Sequence, residues 1–163
     1  MSNLKKISKK IYSLNDLKIP LQNWKNSGDS IVFTNGCFDI LHQGHIEVLA
    51  KTADLGNRLI IGLNSDSSVK LLKGKNRPIN TERARALLLA AIDFVDAIIL
   101  FPEETPKQLI AQIQPNILAK GGDYKITEIV GHHIVTQNGG KVISIPLTEG
   151  FSSTLIIEKI QNG

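Results

Sequence analysis

The chain has 163 residues, of which 42% are hydrophobic and 21% charged, and a formal net charge of +4. That is enough chain for one domain with a sizeable core, and the composition is globular rather than disordered. A single cysteine excludes an internal disulfide framework and a cysteine-rich zinc site, and the mild basicity suits a small anionic substrate better than a nucleic-acid duplex.

The N-terminal stretch MSNLKKISKKIYSLNDL carries lysines without a following apolar segment, unlike a secretory signal. No apolar run approaches the roughly 20 residues that span a bilayer. A cytoplasmic protein without a membrane role is expected. Ser13 offers a helix cap with Asp16 three residues on. Leu14, Leu17, Leu21 and Trp24 recur at helical spacing, interrupted by Pro20, which predicts one or two short helices. Residues 1–29 thus read as a helical extension, and 30–163 as the main domain.

From Ser30 onward strands and helices alternate. Residues 31–33 predict a strand, 46–55 a helix closed by Gly56-Asn57, and 58–63 a second strand. After a loop, 81–92 predicts a helix, 95–101 a strand, 105–113 a helix and 117–119 a short strand. Residues 126–137 predict a helix, 142–145 a strand and 153–160 a closing helix. The strands lack period-2 alternation, as in a parallel sheet covered on both faces. The expectation is a single doubly wound, Rossmann-like α/β domain of about five strands. Ligands in such folds bind beyond the carboxyl ends of the strands, at the switch point.

The first of these strands exits through TNGCFDILHQGH into a helix. Gly36 permits close backbone approach, and Gly44 leaves room over the helix start. His42 and His45 are three apart, so one helical turn puts both imidazoles on one side. The free N–H groups of the helix start add partial positive charge. Together these suit a phosphate that gains charge during reaction. The competing reading is a partial metal site or polar surface, and two histidines without a third nearby ligand make a poor zinc site. Neither GxGxxG nor GxxxxGK[ST] occurs here, so dehydrogenase and P-loop readings lose their support.

NGCFDILHQGH resembles the HxGH signature of the nucleotidyltransferase superfamily. Four further segments, GLNSDSSVKLLKGKNRPIN, ERARALLLAAIDFVDAIILFPEETP, LAKGGDY and PLTEGFSST, make the heptose 1-phosphate adenylyltransferases the best match from about Ser13 onward. Related glycerol-3-phosphate and phosphocholine cytidylyltransferases carry an Arg-Thr-Glu-Gly-Ile-Ser-Thr-Thr block. Leu147 stands where that arginine would be. The resemblance implies transfer of AMP from ATP to D-glycero-β-D-manno-heptose 1-phosphate, with release of pyrophosphate. Magnesium would travel on the ATP phosphates, without direct protein ligands. It also implies a homodimer. Some relatives fuse this domain to a sugar kinase, so a separate heptose kinase is expected to supply the acceptor.

His42, His45 and Lys120 are the expected catalytic residues. Thr34, Asn35, Gly36, Cys37, Phe38, Gly44, Gly121, Asp123, Phe151, Ser152, Ser153 and Thr154 are expected around the nucleotide. Thr34 reads equally as a plain strand-end residue, Cys37 as a packing residue, and the Ser-Thr run as helix caps. Lys120-Gly121-Gly122 follows a strand, the correct edge of the sheet for a ligand. On the sugar-phosphate side stand Asp39, Asn64, Lys73, Arg77 and Arg83. Asp39 could instead cap a turn, and Asp66 reads as a cap. Arg83 is preferred to Arg85 because it lies nearer its helix N-terminus. Lys75 reads as solvated, and His132 and His133 as structural or surface residues. Other possibilities are a nucleotidyltransferase acting on glycerol 3-phosphate, another sugar phosphate or a flavin, and a non-catalytic nucleotide-binding module.

Overall fold

The computed structural model describes residues 1–162. Its six strands are β1 (Ile11–Tyr12), β2 (Ile31–Gly36), β3 (Arg58–Asn64), β4 (Ala97–Phe101), β5 (Ile117–Gly121) and β6 (Lys141–Ile145). They form one sheet in the order β1-β4-β3-β2-β5-β6, with every neighbouring pair parallel. The expected doubly wound α/β domain is therefore present, with one strand more than foreseen. The extra strand, β1, is only two residues long and pairs with Ile98 and Ile99 at the sheet edge. The first 29 residues are accordingly part of the sheet and its core, not only a helical extension.

The helices are α1 (Asn3–Ser8), α2 (Leu14–Asn26), α3 (Gln43–Ala53), α4 (Asp66–Lys73), α5 (Glu82–Ala90), α6 (Lys107–Ile113), α7 (His132–Gln137) and α8 (Ser153–Asn162). Alternate strand residues point to opposite faces. Ile31 and Phe33 therefore join Leu17, Ile110 and Ile113 on one side of the sheet, while Val32 joins Leu49, Leu89 and Ala119 on the other. Both layers are almost fully closed to solvent, which explains the uninterrupted apolar runs.

Several boundaries differ from expectation. Ser13 does cap α2, accepting from the Asp16 amide, but the helix continues through Pro20. An interior proline costs about 3 kcal/mol. Packing of Leu14, Leu17, Leu21 and Trp24 against the core offsets it here. α4 occupies what the sequence reads as a loop. Its cap is Ser65, accepting from the Ser68 amide, rather than Asp66. The predicted helix 126–137 splits into a 3-10 turn (Ile126–Glu128) and α7, because Gly131 turns the chain at φ 90°.

The strand order places the switch point between β2 and β5: from β2 the chain winds outward through β3 and β4, then returns to the other side of β2. The crevice beyond their carboxyl ends is the expected place for a ligand. Among the described residues, no helix is long and apolar enough to cross a membrane.

Candidate active site

A cavity of about 350 Å³ opens at this switch point. The end of β2 supplies Thr34, Asn35 and Gly36, and the following turn supplies Cys37 and Phe38. α3 contributes His42, Gly44 and His45, and the end of β5 contributes Lys120 and Gly121. Phe151, Ser152, Ser153 and Thr154, at the start of α8, close the opposite side. All these residues were expected at the nucleotide or in catalysis from the sequence. Lys73, expected toward the sugar phosphate, also reaches this cavity from the end of α4.

The two imidazoles stack, with centroids 3.8 Å apart and planes 23° from parallel. Phe151 lies parallel to His42 at 6.4 Å. Gly44 makes this packing possible: a Cβ there would lie 3.0 Å from Phe151 Cβ and 3.2 Å from His42 Nδ1. Nδ1 of His42 and Nδ1 of His45 are buried without a hydrogen-bond partner. Buried polar atoms are normally paired, and exceptions point to strain, function or a missing partner. Burial lowers the pKa of His42. Burial, then the neighbouring His42 and Lys73, push His45 down to about 4, with the Ile40 carbonyl acting the other way. Both rings are thus biased toward the neutral form in a site that lacks anions.

Lys120 is largely enclosed, and burial lowers its pKa too. Its ammonium donates to the Asn35 carbonyl at 3.0 Å. No carboxylate lines this cavity among the described residues. Ser152 accepts from the Leu155 amide at 3.0 Å, so its hydroxyl serves as the cap of α8. Ser153 donates to the Ile40 carbonyl at 3.1 Å, tying α8 to the turn before α3. Beyond the Leu155 amide, which Ser152 takes, the first turn of α8 brings Ser153 and Thr154 to the cavity lining.

Behind the cavity lies a second polar cluster. Asp39 is 1% exposed. Its carboxylate accepts from Arg77 Nε at 2.5 Å and from the amides of Ile79 and Asn80 at 2.7 and 3.0 Å. Burial pushes the Asp39 carboxyl up, but those two amides and the Arg77 guanidinium outweigh it, and its pKa is lowered. Arg85 is fully buried. It donates to the carbonyls of Cys37, Asn64 and Asn80 and to Asp66 Oδ1 at 2.6 to 3.0 Å. This clamp holds the turn in which Phe38 sits at φ 46°, a region bulky residues rarely occupy.

Other predicted residues lie elsewhere. Asp39 and Arg77, expected on the sugar phosphate, pair with each other outside the lining of this cavity. Arg83 is exposed and outside the lining of this cavity. Arg85 is the inward residue, since it shares a helix face with Leu89 four residues on. Asp123 is exposed and outside the cavity lining. Gly122 turns the chain at φ 129°, and the Tyr124 ring folds back over it. Tyr124 takes that wall position instead, together with Leu147 and Thr148. Asn64 is buried and faces an adjoining cavity. His132 and His133 sit on α7, outside both cavities. Among the described residues no group of three His, Cys, Asp or Glu side chains could hold a metal ion.

Residues 33–159 match the family model described as Cytidylyltransferase-like. The chain belongs to the cytidylyltransferase-like family. Its curated relatives include the bifunctional protein HldE of Nitrobacter winogradskyi, 52% identical over 147 residues, or 90% of this chain and 30% of that one. The bifunctional protein HldE of Rhodopseudomonas palustris (strain BisB18) is 51% identical over 148 residues, covering 91% and 30%. The chain therefore spans about 30% of the length of these curated relatives. Among solved structures, the lipopolysaccharide core biosynthesis protein from Thermoplasma volcanium GSS1 superposes with a TM-score of 0.61 at 28% identity. That match covers 74% of this chain and 98% of the other. As a member of the cytidylyltransferase-like family, the chain carries its HxGH histidines at the mouth of the sheet, beside Lys120.

Proposed function

We propose that this domain transfers AMP from ATP to D-glycero-β-D-manno-heptose 1-phosphate, giving ADP-heptose and pyrophosphate. An oxygen of the sugar phosphate attacks the α-phosphorus, and the bond to the β-phosphate oxygen breaks. The attacking group is already an anion, so no general base is needed. Catalysis then consists of bringing two polyanions into line and stabilising the charge that develops. The observation that carries this reading is the carboxylate-free cavity, in which two imidazoles with unpartnered nitrogens stand with Lys73, Lys120 and the start of α8.

In this reading His42 and His45 donate to α- and β-phosphate oxygens. A donor of this kind contributes roughly 2.7–4 kcal/mol in the transition state. Lys120 approaches from the β5 side, and the α8 amides receive the β- and γ-phosphates. Among the described lining residues there is no carboxylate, and in this reading magnesium is carried by the ATP phosphates. Leu147, 61% exposed at the cavity wall, replaces the arginine of the cytidylyl pattern and favours ATP over CTP.

Heptose 1-phosphate must come from a kinase that phosphorylates the anomeric hydroxyl. A homodimer working in the cytoplasm completes the proposal, and light scattering on the purified protein tests the dimer. The reaction itself is tested by incubating the protein with heptose 1-phosphate and either ATP or CTP, and measuring pyrophosphate. The expected result is release with ATP that collapses in His42→Ala and His45→Ala. Equal release from these variants, or release with CTP alone, contradicts the proposal.

A further inference from the structure

A second cavity of about 420 Å³ adjoins the first. The two share Asn35, Gly36, Cys37, Lys73, Lys120 and Tyr124. Beyond that common wall their chemistry diverges. The first cavity has no acid among its described lining residues, whereas the second has Glu104 from the β4–α6 loop and Glu128 from the 3-10 turn. Neither glutamate forms a salt bridge or a side-chain hydrogen bond among the described residues. Leu72, Pro106 and Ile129 add apolar residues to the same lining.

We propose that Glu104 and Glu128 accept hydrogen bonds from the hydroxyls of the acceptor sugar and set its specificity, with its phosphate held at the shared lysines. An ionised carboxylate only accepts hydrogen bonds. It therefore repels a phosphate but suits a hydroxyl donor. The cavity accordingly offers cations on the wall it shares with the nucleotide chamber, acceptors outside that shared wall, and apolar surface for the C–H faces of a ring. Its volume lies in the ordinary range of small-molecule sites. This inference rests on the transferase reading above and deepens it to the acceptor's hydroxylated body.

The test measures binding of heptose 1-phosphate by calorimetry, and its KM in the pyrophosphate assay, for the wild type, Glu104→Ala, Glu128→Ala and the double variant. Both glutamates are exposed, so the fold is not at risk. Each single change should weaken sugar-phosphate binding about tenfold, as loss of a hydrogen bond to a charged group does. The KM for ATP should stay unchanged, and inhibition by inorganic phosphate unchanged or tighter. Glu104→Gln, which keeps an acceptor oxygen, should recover part of the loss. Equal or tighter sugar-phosphate binding in the alanine variants overturns the inference, as does a glutamate-dependent preference for phosphocholine. Glutamate-dependent binding without pyrophosphate release sinks the transferase reading but supports this site. Release with a glutamate-independent acceptor KM sinks this inference alone.

Discussion

Two polar groups meet at the segment 36–45, buried Asp39 with Arg85 and half-buried His42 with His45, and they differ in how they are satisfied. On one side, the Asp39 carboxylate and the Arg85 guanidinium find their partners within the protein. On the other, His42 and His45 each keep an unpartnered buried nitrogen. Position in the sequence does not separate them, since Asp39 and both histidines lie in one short segment. What separates them is whether the protein itself completes the hydrogen bonding. A closed network fixes the shape of a turn, while an open one is ready for a ligand. Arg77 stands between the two cases, with Nε on Asp39 and Nη2 unpartnered.

Removing Arg85 should have the largest effect of any single change. Arg85→Ala leaves the Cys37 and Asn64 carbonyls and the Asp66 carboxylate without their donor, so a loss of about 3–5 kcal/mol in stability is expected, read from urea unfolding. Arg85→Lys should recover little, because one ammonium cannot span four acceptors. If Arg85→Ala unfolds like the wild type, the closed network is not what holds the turn.

His45→Ala should do the reverse. Stability should change little, while kcat for pyrophosphate release should fall about 10²- to 10³-fold, the cost of a lost transition-state donor. Asp39→Asn belongs with Arg85 but is milder. It keeps the shape, weakens a charge-assisted set of bonds, and should cost about 1.5–3 kcal/mol by the same unfolding measurement.

The pH dependence separates the two groups by window. His45 has its folded pKa pushed down from 6.5 to about 4. The unfolded chain therefore binds the extra proton first, and stability present above pH 6.5 should decline as pH falls toward 4. Asp39 is also lowered, from 3.8. Its contribution should persist through that window and be lost only at more acid pH. Unfolding curves across pH should show His45→Gln flattening the upper window and Asp39→Asn the lower.

Much of this was legible in the sequence because it depends on local order. His42, Gly44 and His45 share one helical turn, and Lys120 directly follows an apolar strand. What the sequence hid depends on helical phase and distant packing. Arg83 and Arg85 look alike in the chain, yet only Arg85 is in phase with the buried Leu89. That spacing was a usable signal. The helix at Asp66–Lys73 was missed because Val69 is its only buried apolar residue. β1 was missed because two residues carry no periodicity. Glu104, Tyr124 and Glu128 come together only when the exits of β4 and β5 converge on a common cavity. Nothing local marks them.

The direct test of the open network is an NMR pH titration of ¹⁵N-labelled imidazoles with and without a non-hydrolysable ATP analogue and magnesium. His132 and His133, outside the cavity on α7, serve as internal controls. If the two rings await phosphate, the analogue should raise the pKa of His45 from about 4 toward or above its ordinary value, shift His42 as well, and leave the controls unmoved. Saturation with the analogue while His42 and His45 titrate as in the free protein would contradict the account.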